Sequence, residues 1–133
     1  MSMPPAGQVS LERWHAYHVW CDDLIPKRYK YCLCVCPLNE WFFFISSTPS
    51  PGRQQRQFDV AIQNFEAVFL RHTSYLDTSK VITFQDARVA KALASPRDRF
   101  GRISPTLQAR IVALVQTNPA LTTHQKSVIL TVP

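Results

Sequence analysis

Two dense apolar runs separated by four residues constrain this chain more than anything else in it. Tyr31-Cys32-Leu33-Cys34-Val35-Cys36 and Trp41-Phe42-Phe43-Phe44-Ile45 flank Pro37-Leu38-Asn39-Glu40. Residues 28–36 alternate polar and apolar at first and then become continuously apolar, the pattern of a buried strand. The second run is rich in aromatic side chains, which favour strands. The four residues between them make a tight turn, so the spacing predicts an antiparallel hairpin over 28–47. Neither run approaches the length that crosses a bilayer.

Further strand signals surround this hairpin. Residues 14–21 are aromatic-rich and predict a first strand, closed by the proline-containing turn 22–27. Residues 48–56 hold two prolines, a glycine and two arginines and predict a loop. Phe58, Val60 and Ile62 alternate against Asp59 and Ala61, predicting a strand over 58–62. An apolar segment follows at 64–70, then a polar stretch at 72–79, and 80–84 predicts a last strand. Beyond it the pattern changes. Residues 86–94 are Ala-rich and predict a short helix, and 95–101 a basic loop. Ser104-Pro105 supplies an N-cap and a proline at the first helical position. Leu107, Ile111, Leu114 and Val115 then share one helical face up to Asn118-Pro119. Residues 122–130 predict a short final helix.

The length of 133 residues supports one domain. Its expected parts are a loose arm over 1–12, barrel strands over 14–84 and a helical part over 86–130. Strands first and helices last predict a mainly β fold, a small barrel or curled sheet closed by C-terminal helices. The hydrophobic fraction of 46% excludes a disordered tail. With three glycines, neither G-x-G-x-x-G nor a G-x-x-x-x-G-K-[ST] loop can be written. The first residues lack the apolar core of an export signal, which predicts a soluble, cytoplasmic chain with no membrane partner.

Charge is segregated. Residues 1–50 hold four basic and four acidic groups, whereas residues 51–133 hold 11 basic and 5 acidic ones and so carry the whole net charge of +6. Ten of the 15 basic residues are arginine, the side chain best suited to two-point phosphate contacts. This balance is compatible with a polyanion partner such as a nucleic acid, and equally with a solvated basic face that binds nothing. Arg53 and Arg56, set among glutamines, fit a flexible phosphate-gripping edge, with Arg71 and Lys80 as further candidate phosphate contacts.

The cysteines point elsewhere. Cys32, Cys34 and Cys36 alternate, and same-face neighbours on a strand lie about 6.5–7 Å apart, too far for disulfides between them. They lack C-x-x-C spacing and added His ligands, so buried thiols are expected and no metal; a Cys-bound metal module is the weaker reading. His15 and His18, three apart on a strand, face opposite sides.

Several segments, taken in order, resemble the MazF/PemK-type toxins. They are Lys27-Arg28-Tyr29-Lys30-Tyr31 before an apolar strand, Ile45-Ser46-Ser47-Thr48 ending the next, the stretch from Phe69 through Ser74-Tyr75-Leu76-Asp77 to Val81, and Gly101-Arg102-Ile103-Ser104 opening a helix. The resemblance spans roughly residues 14–118. It implies an SH3-like barrel, commonly a homodimer, held in check by an antitoxin protein. It also implies cleavage of single-stranded RNA with neither metal nor cofactor, leaving a 2′,3′-cyclic phosphate and a 5′-hydroxyl. In that chemistry a base takes the 2′-OH proton, an acid protonates the leaving 5′-oxygen and a cation holds the charge on phosphorus. The resemblance puts Arg28 in the cation's place, with Lys30 two residues along. Ser46, Ser47 or Thr48 is the hydroxyl donor to phosphate. His72 is a further proton carrier, being of a type that titrates near neutral pH. The alternative is a barrel of the same descent without catalysis, serving as an RNA- or protein-binding module.

Overall fold

The expected hairpin forms the middle of a six-stranded sheet. In a computed structural model that describes residues 10–131, strand β2 (Arg28–Cys36) pairs antiparallel with β3 (Trp41–Ser46). Leu33 lies opposite Phe43 and Tyr31 opposite Ile45. Strand β1 (His15–Cys21) adds to the far side of β2. A one-turn helix, α1 (Arg53–Arg56), interrupts the expected 48–56 loop before β4 (Asp59–Ile62). Strand β5 (Ser74–Ile82) is followed by helix α2 (Asp86–Ala94), a 3-10 turn (Pro96–Asp98) and strand β6 (Arg99–Arg102). Helices α3 (Pro105–Thr117) and α4 (Thr123–Thr131) close the chain. The strand order is β4-β5-β3-β2-β1-β6, a curled antiparallel half-barrel with C-terminal helices. The arm expected over 1–12 falls mostly on residues 1–9, outside the described residues.

Burial on both faces explains why Cys32–Cys36 is apolar without alternation. On one face Leu33, Val35, Phe43, Ile45, Ile62 and Leu76 pack against Leu107, Ile111 and Val115 of α3 and Ile129 of α4. On the other, Tyr17, Val19, Cys32, Cys34 and Phe42 pack against Val89 and Ala92 of α2. Cys32 and Cys34 thus share a face as expected, while a register irregularity separates Cys34 from Cys36. All four cysteines are buried and free.

Helix α3 starts where its capping signals put it: the Ser104 hydroxyl accepts from the Leu107 amide at 3.2 Å, and Pro105 opens the first turn. Leu107, Ile111 and Val115 are buried, whereas Leu114 is only half-buried at the edge of the core.

Three elements differ from the sequence expectation. β1 begins at His15, because Trp14 adopts φ 68°, a left-handed conformation that ends a strand. Its amide donates to the Cys34 carbonyl at 2.8 Å, its carbonyl accepts from Ile103 at 2.9 Å, and its ring is buried. These contacts hold a conformation that a bulky residue otherwise avoids. The strand expected over 80–84 starts six residues earlier, at Ser74. It pairs on both sides, with β3 through Ile45↔Leu76 and with β4 through Val60↔Leu76, and that pairing overrides its polar composition. Residues 99–102, expected in a basic loop and a helical region, form the edge strand β6 because β1 offers them a free edge.

Candidate functional site

At the open end of the half-barrel, the start of β2, the end of β3 and the segment leading into β5 enclose a groove of about 370 Å³. Arg28, Lys30, Ser46, Ser47, Arg71 and His72 line it together. The hairpin register accounts for the first three. Tyr31 faces Ile45 on one side of the sheet, which sends Lys30 and Ser46 to the other, and the Lys30 Nζ donates to the Ser46 Oγ at 2.7 Å. With that contact accepted, the Ser46 hydroxyl hydrogen is available to another acceptor. Burial, reinforced by the nearby positive charge of Arg28, lowers the Lys30 pKa from the usual lysine value, so this ammonium gives up its proton more readily than a surface lysine. Its Nζ also lies 5.4 Å from the centre of the Phe44 ring. Arg28 is exposed and steadied by a 2.9 Å hydrogen bond from Nη1 to the Pro26 carbonyl.

Arg71 and His72 reach the groove on a segment held by its own hydrogen bonds. The Thr73 hydroxyl donates to Gln63 Oε1 at 3.0 Å, and the Gln63 amide donates to Glu66 at 3.0 Å. Glu66 accepts a two-point contact from the Arg110 guanidinium of α3, which lowers its carboxyl below the ordinary range. The Ser74 hydroxyl donates to the His72 carbonyl at 3.2 Å, and Asp77 accepts from the Ser79 amide at 2.9 Å, short-range bonds that fix the local backbone. His72 Nδ1 lies 3.1 Å from the Thr73 carbonyl. A carbonyl can only accept, so Nδ1 is the donor in this contact, and in a neutral ring the lone pair is then on Nε2.

The remaining expected contacts stand apart. Thr48 lines a separate small pocket with Ser50, Asp59 and Asp77. Arg53 and Arg56 sit on α1, with Arg56 Nε donating to the Ser50 carbonyl at 2.9 Å. Lys80 is exposed toward the far end of β5. None of the four lines the groove.

What the sequence reading missed is the aromatic wall. His18 is stacked between Tyr29, at 4.9 Å and 27°, and Tyr31, at 4.7 Å and 30°. Tyr31 continues to Phe69 and Phe100, and Trp20 meets Tyr29 edge-on at 5.1 Å. The rows come from two cross-strand pairs, His18↔Tyr31 and Trp20↔Tyr29. Aromatic side chains two apart on each strand were the legible signal; only the β1–β2 register turns them into a single ladder. His18 Nδ1 also lies 3.7 Å from Asp98, and burial lowers its pKa against that carboxylate's opposing pull. The imidazole is therefore neutral near pH 7.

No helix among the described residues is long and apolar enough to cross a membrane. Comparison of the chain with protein families, curated proteins and solved structures finds no match to any of them.

Proposed function

We propose that the groove binds single-stranded RNA and cleaves it through its own 2′-hydroxyl, and that the chain is a divergent MazF/PemK-like, SH3-like barrel. The observation that carries this reading is the convergence in one groove of two arginines, a lysine, three serines and His72 beside a ladder of stacked rings. Rings stack bases without regard to sequence, and the cations hold phosphates. In the step envisaged, His72 Nε2 takes the 2′-OH proton as that oxygen attacks phosphorus in line. The P–O5′ bond breaks, and Lys30 delivers a proton to the departing oxygen. Arg28 and Arg71 bear the charge gathering on the phosphoryl oxygens, and the Ser46 hydroxyl donates to one of them. The products are a 2′,3′-cyclic phosphate and a 5′-hydroxyl.

The test is a single-stranded RNA incubated with pure protein, followed by analysis of both new ends. Cyclic-phosphate ends are expected, with no product when the ribose at the cut site is 2′-deoxy. Arg28→Ala should slow cleavage by about 10²-fold or more, the scale of losing one preorganised donor. Metal-dependent cleavage leaving a 3′-hydroxyl would defeat the mechanism.

One observation favours the non-catalytic alternative. Tyr29 and Tyr31 alternate with Arg28 and Lys30, so rings and cations leave β2 on opposite faces although all four line the groove. Tight binding of RNA without cleavage, by folded protein free of inhibitor, selects that alternative.

A further inference from the structure

A cavity larger than the groove described above lies beside it. It has a volume of about 1170 Å³ and lies between the outer end of β1 and the segment from α2 through the 3-10 turn. His18 and Tyr29 line both cavities and Trp20 lines this one alone, so the aromatic ladder is a ridge between two hollows with Trp20 on the side away from the groove. Trp20 and Tyr29 are 39% and 48% exposed, unusually open for large rings on paired strands. They meet at 64°, leaving ring face open toward the cavity rather than buried in a parallel stack.

The charges around this cavity are sorted. Its two carboxylates already have partners: Arg88 holds Asp22, and His18 lies against Asp98. Lys91 on α2 and Arg97 on the 3-10 turn line the same cavity, both exposed and with no carboxylate within ion-pair distance among the described residues. The hollow thus pairs open aromatic faces with two uncommitted cations, the combination that grips a base and its flanking phosphates.

We propose that this cavity is a second RNA subsite, in which Trp20 stacks a base and Lys91 and Arg97 contact phosphates of the strand that leaves the groove over the Tyr29–Trp20 ridge. This rests on the reading of the groove as an RNA site and extends it from a short contact to a longer path.

The experiment compares 2′-O-methyl oligouridylates of about four and about ten nucleotides, lengths that fall within the site sizes of single small barrels. The methyl groups prevent cleavage. The ten-mer is expected to bind more tightly than the four-mer and to quench the fluorescence of Trp20, the one tryptophan of the three with substantial exposure. Trp20→Ala should weaken ten-mer binding by roughly 5- to 150-fold, the range for losing one stacked base, and leave four-mer binding unchanged. Trp20→Phe should abolish the quench but keep most of the affinity. Lys91→Ala with Arg97→Ala, both surface changes that spare the core, should lower the salt slope of ten-mer binding by about 1.4. If the four-mer binds but the ten-mer's advantage ignores both sets of substitutions, the subsite is wrong and the groove stands. Failure of both oligonucleotides to bind at low salt overturns the groove and the subsite together.

Discussion

Single residues here show how burial decides chemical character. Cys34 lies on the face of β2 covered by α2, and burial pushes its thiol up to about 12. Cys32 is raised well above the ordinary value for the same reason. A thiolate is the reactive form, so both should resist alkylation in the folded protein at pH 8 and react at once in denaturant. Mass spectrometry after brief iodoacetamide treatment checks this, and rapid native labelling of Cys34 would contradict it. Lys30 shows burial acting in the opposite sense on a base. Lys30→Met should reduce cleavage sharply while leaving binding of uncleavable RNA much less affected, because Arg28 and Arg71 still hold the phosphate; equal losses in both would remove Lys30 from proton transfer. The residues of the groove were legible to different degrees. Arg28, Lys30 and Ser46 could be read because they bracket a hairpin whose pairing follows from two apolar runs. The remoteness of Arg53, Arg56 and Lys80 could not, since composition gives charge and says nothing of the direction a loop or strand end takes.

At the level of elements, local signals succeeded where the chain carries its own cap or its own partner. Helix α3 is bounded by Ser104-Pro105 and by Asn118, and α4 opens with Thr122 and Gln125 exchanging side-chain-to-backbone hydrogen bonds at 3.0 Å each. Ser104→Ala should therefore cost about 1 kcal/mol of stability, and Ile111→Ala, which empties a fully buried site, about 2–5 kcal/mol; urea denaturation measures both. Strands β5 and β6 were less legible because they exist through neighbours distant in sequence. The pairing of β6 sets Phe100 against Tyr31 and brings Asp98 to His18, so the edge strand helps build the ladder. That ladder carries a pH signature. The folded pKa of His18 lies below that of the unfolded chain, near 6.5, so at pH values between the two the unfolded state binds more protons. This contribution is complete above about pH 6.5 and is lost as the pH falls toward the folded pKa. The urea midpoint should drop between pH 7.5 and pH 5.5, and less so in His18→Gln. An identical drop in that variant would place the titrating group elsewhere.

On the scale of the molecule, the sheet separates work from support. Its middle is buried on both faces, by α3 and α4 on one and α2 on the other, and the groove forms where strand ends present side chains. The groove gathers Arg28, Lys30 and Arg71 there, while much of the chain's positive charge lies elsewhere, on α1, on β5 and around the 3-10 turn. On the proposed reading, net charge alone therefore overstates how many cations a short RNA would engage, and salt dependence separates the two. Binding of a four-nucleotide uncleavable RNA should weaken linearly in log–log form as salt rises, because each neutralised phosphate releases counterions. Arg71→Ala should flatten that slope by about 0.7, the value of one contact on a single strand. Arg53→Ala with Arg56→Ala removes twice the charge and lowers the overall field equally or more, yet should leave the slope nearly unchanged, since neither side chain lines the groove. Isothermal titration at four salt concentrations reads both effects. A slope that falls with the α1 arginines and ignores Arg71 would move the RNA to the other side of β3 and dissolve the site built here.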